Sequence, residues 1–402
     1  MRVTALPESL QTHLQRCLKI ASLDSKSAAL KPIYGYVQIS TLGSMVTLRV
    51  HDPFVHFETR LLADTSTEDG DVEVECDRFY QVMKTRVEGQ PVHLWTEGEF
   101  LFVKQGEFRA QIPTLKLEAF PKFEFSGKSD FEFDYEPSML SATNRCGSVI
   151  EDDRGDAQFK GLLFDLTEEK TLRIAGFSQA LLHVARFATQ ETGGFRASFA
   201  QKALPLLESL SSGLPMRLSF DKEGQRFVLT SSEFSLSVRC IEDTYPEGYV
   251  SFLGLHKMSD AVYPVTKLDK SGQIVEEIPR KFLKFRRQDF LASLGSAACV
   301  LSKEDNAIQL SVKQKLQSGQ YLVELSGFNR LTKAKAQEKI LSESNLDSSF
   351  SIGLHYGKVR ECLKLFDADV FVMYVHTASD PVVLVEEGHK EFVSLSVPLR
   401  IS

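Results

Sequence analysis

Six short helical patterns recur along this chain, each separated from the next by a longer stretch that reads as β-structure, and any fold for it must accommodate that alternation. The first pattern spans about 7–20, where Leu10, Leu14, Cys17 and Leu18 fall at i, i+4, i+7 and i+8. The second, 76–87, points Phe79, Val82, Met83 and Val87 inward, and the third, 136–150, uses Met139, Leu140, Thr143 and Ile150. The fourth, 199–212, offers Phe199, Ala203, Leu206, Leu207 and Leu210; Pro205 inside it requires a later start or a kink. The fifth, 285–301, uses Phe290, Leu294, Ala298 and Leu301, and the sixth, 355–366, uses Val359, Cys362, Leu363 and Phe366. Between them lie hairpin signatures. Val92 and Leu94 lead through Thr96-Glu97-Gly98 to Phe100 and Phe102, and Met216, Leu218 and Phe220 run into the turn 221–224. Stretches 370–375, 381–385 and 392–401 read as three more strands.

The helices start roughly 60 to 90 residues apart. One helix-plus-sheet unit used six times, two units to a domain, divides 402 residues into three domains: 1–127, 128–255 and 256–402. The stretch 254–281 fits no unit and reads as an insertion or long connection. An open solenoid is the rival, but its repeats run to about 20–50 residues and are more alike in sequence. The third reading is a chance convergence of spacing.

Charge divides unevenly. The chain carries 47 basic and 54 acidic residues, a net charge of −7, which argues against wrapping nucleic acid with the whole surface. The six helical windows run the other way, with twelve basic residues against six acidic. Helices sharing one surface would make that surface attract phosphate; the plain alternative is that Lys and Arg simply suit helix surfaces. The acidic stretches 64–71 and 151–156 read as solvated loops. Six cysteines without a Cys-x-x-Cys pair read as isolated, buried, reduced thiols, which points to the cytoplasm. No run of eighteen apolar residues predicts a membrane span, and residues 1–10 do not read as a secretory signal.

Several segments, taken in order, resemble the bacterial β sliding clamps, the processivity subunits (DNA polymerase III beta) of replicative polymerases. Phe159-Lys160-Gly161-Leu162-Leu163-Phe164 is similar to that family's LNGVLF strand, with Leu172-Arg173-Ile174 following it. Ile241-Glu242-Asp243-Thr244-Tyr245-Pro246 resembles LIDGxFPDY. Arg287-Gln288-Asp289-Phe290-Leu291 followed by Val300-Leu301-Ser302-Lys303-Glu304 resembles R-x-x-L … ILSNEK. Phe350–Leu354 is similar to IGFN, and Val397-Pro398-Leu399-Arg400-Ile401 to the MPMRL terminus. The first domain matches mainly in layout. The family's ATDGHRLA signature falls on Gly176–His183, where its Arg and His are replaced by Leu181 and Ala180, and the usual aromatic at Lys358 is missing.

The resemblance implies an α+β fold of three topologically similar domains, each with two helices packed on antiparallel sheets. Two chains would close head to tail into a six-domain ring around double-stranded DNA. Arg16, Lys19, Arg78, Lys84, Arg86, Arg145, Lys202, Arg286, Arg287, Lys358 and Arg360 would face the DNA without reading sequence. The resemblance further implies a groove for short linear motifs of a DNA polymerase, clamp loader and repair proteins. Its matching positions are Phe177, Leu181, Leu182, Pro246, Val250, His355, Pro381, Val397, Pro398, Leu399 and Arg400. Such a chain does no chemistry, needs no cofactor and contacts no membrane. A divergent member, from a phage, a mobile element or an outlying bacterial lineage, fits the degraded signature.

Two other function classes compete. Gly176-Phe177-Ser178-Gln179-Ala180 approaches the G-x-S-x-G elbow of a serine hydrolase, with Ser178 as nucleophile and His256, His355, His376 or His389 downstream. The last Gly is Ala, and strands outnumber helices too far for an α/β-hydrolase. A non-catalytic interaction scaffold unrelated to DNA is the other. No G-x-x-x-x-G-K-[ST] loop is present, so the chain is not an ATP-driven clamp loader. No His/carboxylate cluster has metal-ligand spacing; His51-Asp52 and His56 read as surface or turn residues.

Overall fold

One element order, strand–helix–strands–helix–three strands, is written three times along this computed structural model, which describes residues 1–21, 32–115, 120, 131–150, 161–168, 170–178, 180–190, 194–200, 203–210, 213–221, 225–241, 249–260, 262–302, 306–389 and 391–400. The first copy is β1 (Arg2–Ala5), α1 (Pro7–Ala21), β2 (Tyr36–Leu42), β3 (Met45–His51), β4 (Val55–Leu62), β5 (Thr65–Glu68), β6 (Gly70–Glu75), α2 (Cys76–Lys84), β7 (Val92–Glu97), β8 (Phe100–Gln105) and β9 (Phe108–Pro113). The second is β10 (Phe131–Asp134), α3 (Pro137–Gly147), β11 (Gly161–Glu168), β12 (Thr171–Phe177), β13 (Leu181–Ala188), β14 (Arg196–Ala200), α4 (Leu204–Ser209), β15 (Arg217–Asp221), β16 (Arg226–Thr230) and β17 (Phe234–Ile241). A short helix α5 (Tyr249–Phe252) and a hairpin, β18 (Val265–Leu268) with β19 (Ile274–Ile278), intervene. The third is β20 (Lys281–Arg286), α6 (Arg287–Ala298), β21 (Ala307–Lys315), β22 (Tyr321–Phe328), β23 (Lys335–Ser344), β24 (Phe350–His355), α7 (Tyr356–Lys364), β25 (Val370–Val375), β26 (Val382–Glu386) and β27 (Phe392–Ser396).

All six expected helices form, with adjusted ends. Pro205 sits in the first turn of α4, where its missing N–H costs nothing, so the helix starts there and Phe199 belongs to β14. Helix α2 stops at Lys84, which leaves Val87, expected to point inward, exposed. The acidic stretch Asp64–Asp71 is not a loop: it supplies β5 and the start of β6, with its carboxylates outward. The expected turn at 222–224 and the acidic stretch 151–156 lie outside the described residues. Stretch 254–281 resolves into two parts: Leu255, Met258 and Tyr263 join a core cluster, and β18–β19 projects as a two-stranded hairpin.

The chain divides into two compact units, residues 1–144 with 199–242, and residues 145–198 with 243–402. The first holds an eight-stranded antiparallel sheet, β10-β15-β16-β17-β4-β3-β2-β6. It also holds a five-stranded sheet, β5-β1-β7-β8-β9. The second holds β11-β12-β13-β27-β26-β25-β20-β23, continued through β23-β22-β21-β24. The middle repeat thus lends strands to both units, which is why the chain packs as two bodies although its element order shows three repeats.

Pairing follows the repeat. The opening strand of each copy pairs with the strand after its second helix: β1 with β7, β10 with β15, β20 with β25. The last strand of a copy pairs with the third strand after the first helix of the copy before it: β17 with β4, β27 with β13. Even the turns repeat. The β3–β4, β12–β13 and β22–β23 turns are each closed by a short polar side chain, Asp52, Ser178 or Asn329. These accept backbone N–H bonds from Phe54 and Val55, from Leu181, and from Leu331 and Thr332. Two residues before Ser178 and Asn329 stand Gly176 and Gly327. A Cβ there would lie 1.7 Å from the Cys146 carbonyl oxygen and 2.1 Å from that of Ala297, so only glycine lets each helix end sit on its strand.

Candidate partner pocket and nucleic-acid face

The carboxyl-terminal tail is held at two points. Val397 N–H donates to the Ala180 carbonyl at the β12–β13 tip (3.0 Å), and Leu399 N–H donates to the Gly353 carbonyl in β24 (2.9 Å). Register places Val397 one step beyond the Val382–Ser396 pair, opposite Pro381, whose carbonyl accepts from Arg280 Nη1 at 2.6 Å. Leu182 belongs to a core cluster with Leu163, Val184, Tyr249, Val383 and Leu395, and half-buried Phe177 and Val250 pack on that cluster. Leu181 is buried. His355 caps α7 by accepting the Lys358 N–H at 3.3 Å, and burial lowers its pKa, so its ring serves as an acceptor.

The tail therefore carries the accessible part of the expected groove. Val397 is 48% exposed, Pro398 and Leu399 are half-buried, and Arg400 is exposed. Leu181 and Leu182 are both buried. Pro246, like Ile401 and Ser402, lies outside the described residues. Sequence reasoning missed Leu255, Met258 and Tyr263, which back the same cluster from the intervening segment; Tyr263 packs on Tyr374 with ring centroids 5.1 Å apart. The i, i+3 apolar pair Leu255/Met258 was the available signal.

The expected DNA-facing cations separate by helix geometry. On α1, Arg16 shares the buried side with His13, Cys17 and Ile20 and lies 3.7 Å from Glu233, whereas half-buried Lys19 follows exposed Thr12 and Gln15 on the other side. Arg78 and Lys84 are exposed on α2, and Arg78 pairs with Glu75 at 3.1 Å. Arg86 lies past the helix end with its guanidinium 3.1 Å from the Phe108 ring centroid. Arg145 bridges Asp367 and the buried Glu386. Arg287 donates to the Ala368 and Leu363 carbonyls, closing the end of α7. Arg286 and Arg360 are exposed, Lys358 is half-buried and 3.9 Å from Glu361, and Lys202 lies outside the described residues.

Ser178 is a turn residue. Its side chain is 2% exposed, its Oγ accepts the Leu181 N–H at 3.1 Å, and strand β13 follows where an elbow requires a helix. Asp52 and Asn329 hold the equivalent positions, so the G-x-S pattern is one version of a repeated turn. His51, Asp52 and His56 do sit at a turn, but Asp52 and His56 are buried and not on the surface. No cluster of metal-ligating side chains occurs among the described residues. Five cysteines are buried as expected; Cys299, at the end of α6, is exposed. No helix among the described residues is long and apolar enough to cross a membrane.

Among the strand edges left open along most of their length in the described residues are those of β9 and β23. Strand β9 pairs only with β8, and β23 pairs with β22 throughout but touches β20 only through Ser344 and Glu343. In the repeat, β9 is a last strand and β23 a third strand.

Residues 1–124 match the family model for the N-terminal domain of the DNA polymerase III beta subunit. No curated protein matches the chain by sequence. Solved structures match over 100% of both chains. The Pseudomonas aeruginosa DNA polymerase III subunit beta is similar at TM-score 0.82 and 16% identity. The Thermotoga maritima beta subunit is similar at 0.81 and 14%. A Helicobacter pylori beta clamp bound to a DNA ligase peptide is similar at 0.78 and 15%.

Proposed function

We propose, from the premise that residues 1–124 belong to the N-terminal-domain family of DNA polymerase III beta subunits and that the whole chain has the bacterial sliding-clamp fold, that this protein is a non-catalytic clamp that closes around duplex DNA as a head-to-tail dimer. The observation that carries this is that β9, a last strand, and β23, a third strand, both have open edges. Inside the chain each last strand pairs with a third strand of the preceding repeat. Only β9 and β23 are left to follow that rule, and one chain cannot satisfy it for itself without closing a three-repeat circle. A second copy satisfies it twice, β9 on β23 at each joint, and a six-repeat ring results. Closed pairing also removes two edges that would otherwise invite aggregation.

On this reading the domains are 1–127, 128–255 and 256–402, with one repeat in each. Exposed or half-buried cations on the helices or at their ends, Lys19, Arg78, Lys84, Arg286, Lys358 and Arg360, supply phosphate contacts that exchange as the ring slides. Arg16, Arg86, Arg145 and Arg287 serve the protein's own packing. The groove between the β12–β13 tip and the Val397–Arg400 tail takes an extended partner segment with apolar anchors, as a polymerase or repair protein would present. The Helicobacter pylori clamp bound to a DNA ligase peptide supports that reading. Work on bacterial DNA implies a cytoplasmic protein.

The test is retention. Clamp assembled on nicked circular DNA is expected to remain after a salt wash and to leave when the circle is linearised. Equal loss from circle and linear duplex sinks the topological reading.

A further inference from the structure

We propose that the solvent face of the five-stranded amino-terminal sheet binds single-stranded DNA, at a site separate from the cationic helices. The sheet alternates as an antiparallel sheet with one wet face should: Val3, Leu94, Val103 and Ile112 are buried, and their neighbours point outward. Register lines those neighbours up in two rows. Thr4, His93, Lys104 and Arg109 form one, and Arg2, Trp95, Phe102 and Gln111 the other. Trp95 is the chain's single tryptophan. Its ring stacks on Phe102 with centroids 5.2 Å apart and planes 10° from parallel. Beside this stack lies a concavity of about 340 Å³ lined by Arg2, Thr67, His93, Trp95, Lys104 and Arg109.

The cations here are not spent. Among the described residues Arg2, Lys104 and Arg109 make no ion pair, unlike Arg145 or Arg49, and none of the three buries its charge against the core. Of the nearby acids, Glu68 faces the Met1 ammonium at 3.6 Å, and Glu97 lies opposite Phe100 at the far end of the β7–β8 hairpin. A flat aromatic stack flanked by three unpaired cations on a sheet is the combination that unpaired bases and their phosphates require: π-faces for the bases, charge along the backbone. An acidic peptide would use the cations and leave the rings idle. Duplex DNA hides its base faces in its own stack. Pairing of β9 with a second copy consumes its backbone edge and leaves this face open.

The single tryptophan makes the test local. On the full-length protein, an oligothymidylate of about ten nucleotides is expected to quench Trp95 emission, with the binding constant falling along a log–log salt slope of about −2, from roughly 0.7 per cation over three cations. That is roughly a twentyfold loss between about 50 and 200 mM salt. In Lys104→Gln/Arg109→Gln, both solvent-face positions, the slope is expected to drop to about −0.7 and binding to weaken with it. A blunt duplex of the same length is expected to leave Trp95 unchanged. The proposal is overturned by any of four results: no change in emission at the low salt concentration, an unchanged slope in the double variant, equal quenching by the duplex, or equal quenching by polyglutamate of matched charge.

Discussion

Arg145 separates two readings of the same charge, and replacing it with Ala tells them apart. The sequence places it with the helix cations that would meet phosphate. The structure binds it inside the protein: Nη1 lies 3.1 Å from Glu386 Oε1, the guanidinium sits 5.5 Å from the Phe392 ring centroid, and Asp367 completes the pair. Asp367 is exposed, so that arm contributes on the order of 0–1 kcal/mol. Glu386 is 2% exposed, and losing the sole partner of a buried carboxylate costs about 3–5 kcal/mol. Here it is not the sole partner, because Oε2 also accepts the Asp367 and Ala368 N–H groups at 2.8 Å each. Losing one charge-assisted bond of a group still held by two others costs about 1.5–3 kcal/mol. Arg145→Ala is therefore expected to destabilise by about 2–3 kcal/mol.

The assay is urea unfolding followed by circular dichroism, read as the shift in the transition that includes residues 145–198 and 243–402, because a chain with two compact units need not unfold in one step. High salt should leave most of the loss in place, since a buried pair is poorly screened. DNA binding supplies the opposing readout. The salt slope should not move in Arg145→Ala, whereas Arg360→Ala should reduce it by roughly 1 for each phosphate that Arg360 neutralises, with stability unchanged within about 0.5 kcal/mol. A stable Arg145→Ala protein with a reduced salt slope would refute the assignment.

Removing Val397–Ser402 is expected to weaken binding of a polymerase-derived peptide and leave the dimer intact by light scattering; unchanged peptide binding would remove the tail from the groove. Leu341→Glu, on the open edge of β23 where Leu341 is 47% exposed, should weaken dimerisation at least about tenfold by sedimentation, because it sets a charge where apolar area of order 1.5–3 kcal/mol is covered. Burial lowers His13, His56 and His183 to about 4 from 6.5. Their folded pKa values lie below the unfolded ones, so the unfolded chain binds more protons between pH 6.5 and 4 and stability falls across that window, by up to about 1.4 kcal/mol per pH unit per group. A flat urea midpoint between pH 7 and 5 would contradict this. Gly176→Ala should cost more than about 3 kcal/mol, since the clash is with a backbone oxygen 1.7 Å away and no side chain can yield.

The sequence made the repeat legible because its signal is periodic and physical. Apolar stripes at helical spacing survive any substitution that keeps a face buried, so all six helices appear where Leu10/Leu14, Phe79/Met83 and Val359/Cys362 mark them. The cation assignment was only partly legible. Charge on a helix is visible in sequence, but its direction depends on which neighbours the helix meets. Arg16 and Lys19 are three residues apart, yet one turns toward Glu233 and the other shares the side of Thr12 and Gln15. The proposed groove was less legible still. Leu181 and Leu182 lie in its most recognisable segment and are buried, while Leu255, Met258 and Tyr263 join the cluster around Leu182 from a stretch that matched no unit.

The Ser178 turn shows why a signature can vanish while the fold persists. What the position needs is a short side chain with an oxygen that can accept backbone N–H groups, at the end of a strand. Aspartate, serine and asparagine satisfy that need at residues 52, 178 and 329, with no letter in common. The glycine two places earlier is fixed for another reason: at 176 and 327 a helix carbonyl occupies the space of a side chain, while the first repeat has Val50 there. Constraints of this kind act on geometry and leave identity free. Structures sharing 14–17% of their residues with this chain can therefore superpose along its whole length, and a local match such as G-x-S carries information only once the turn that produced it has been seen.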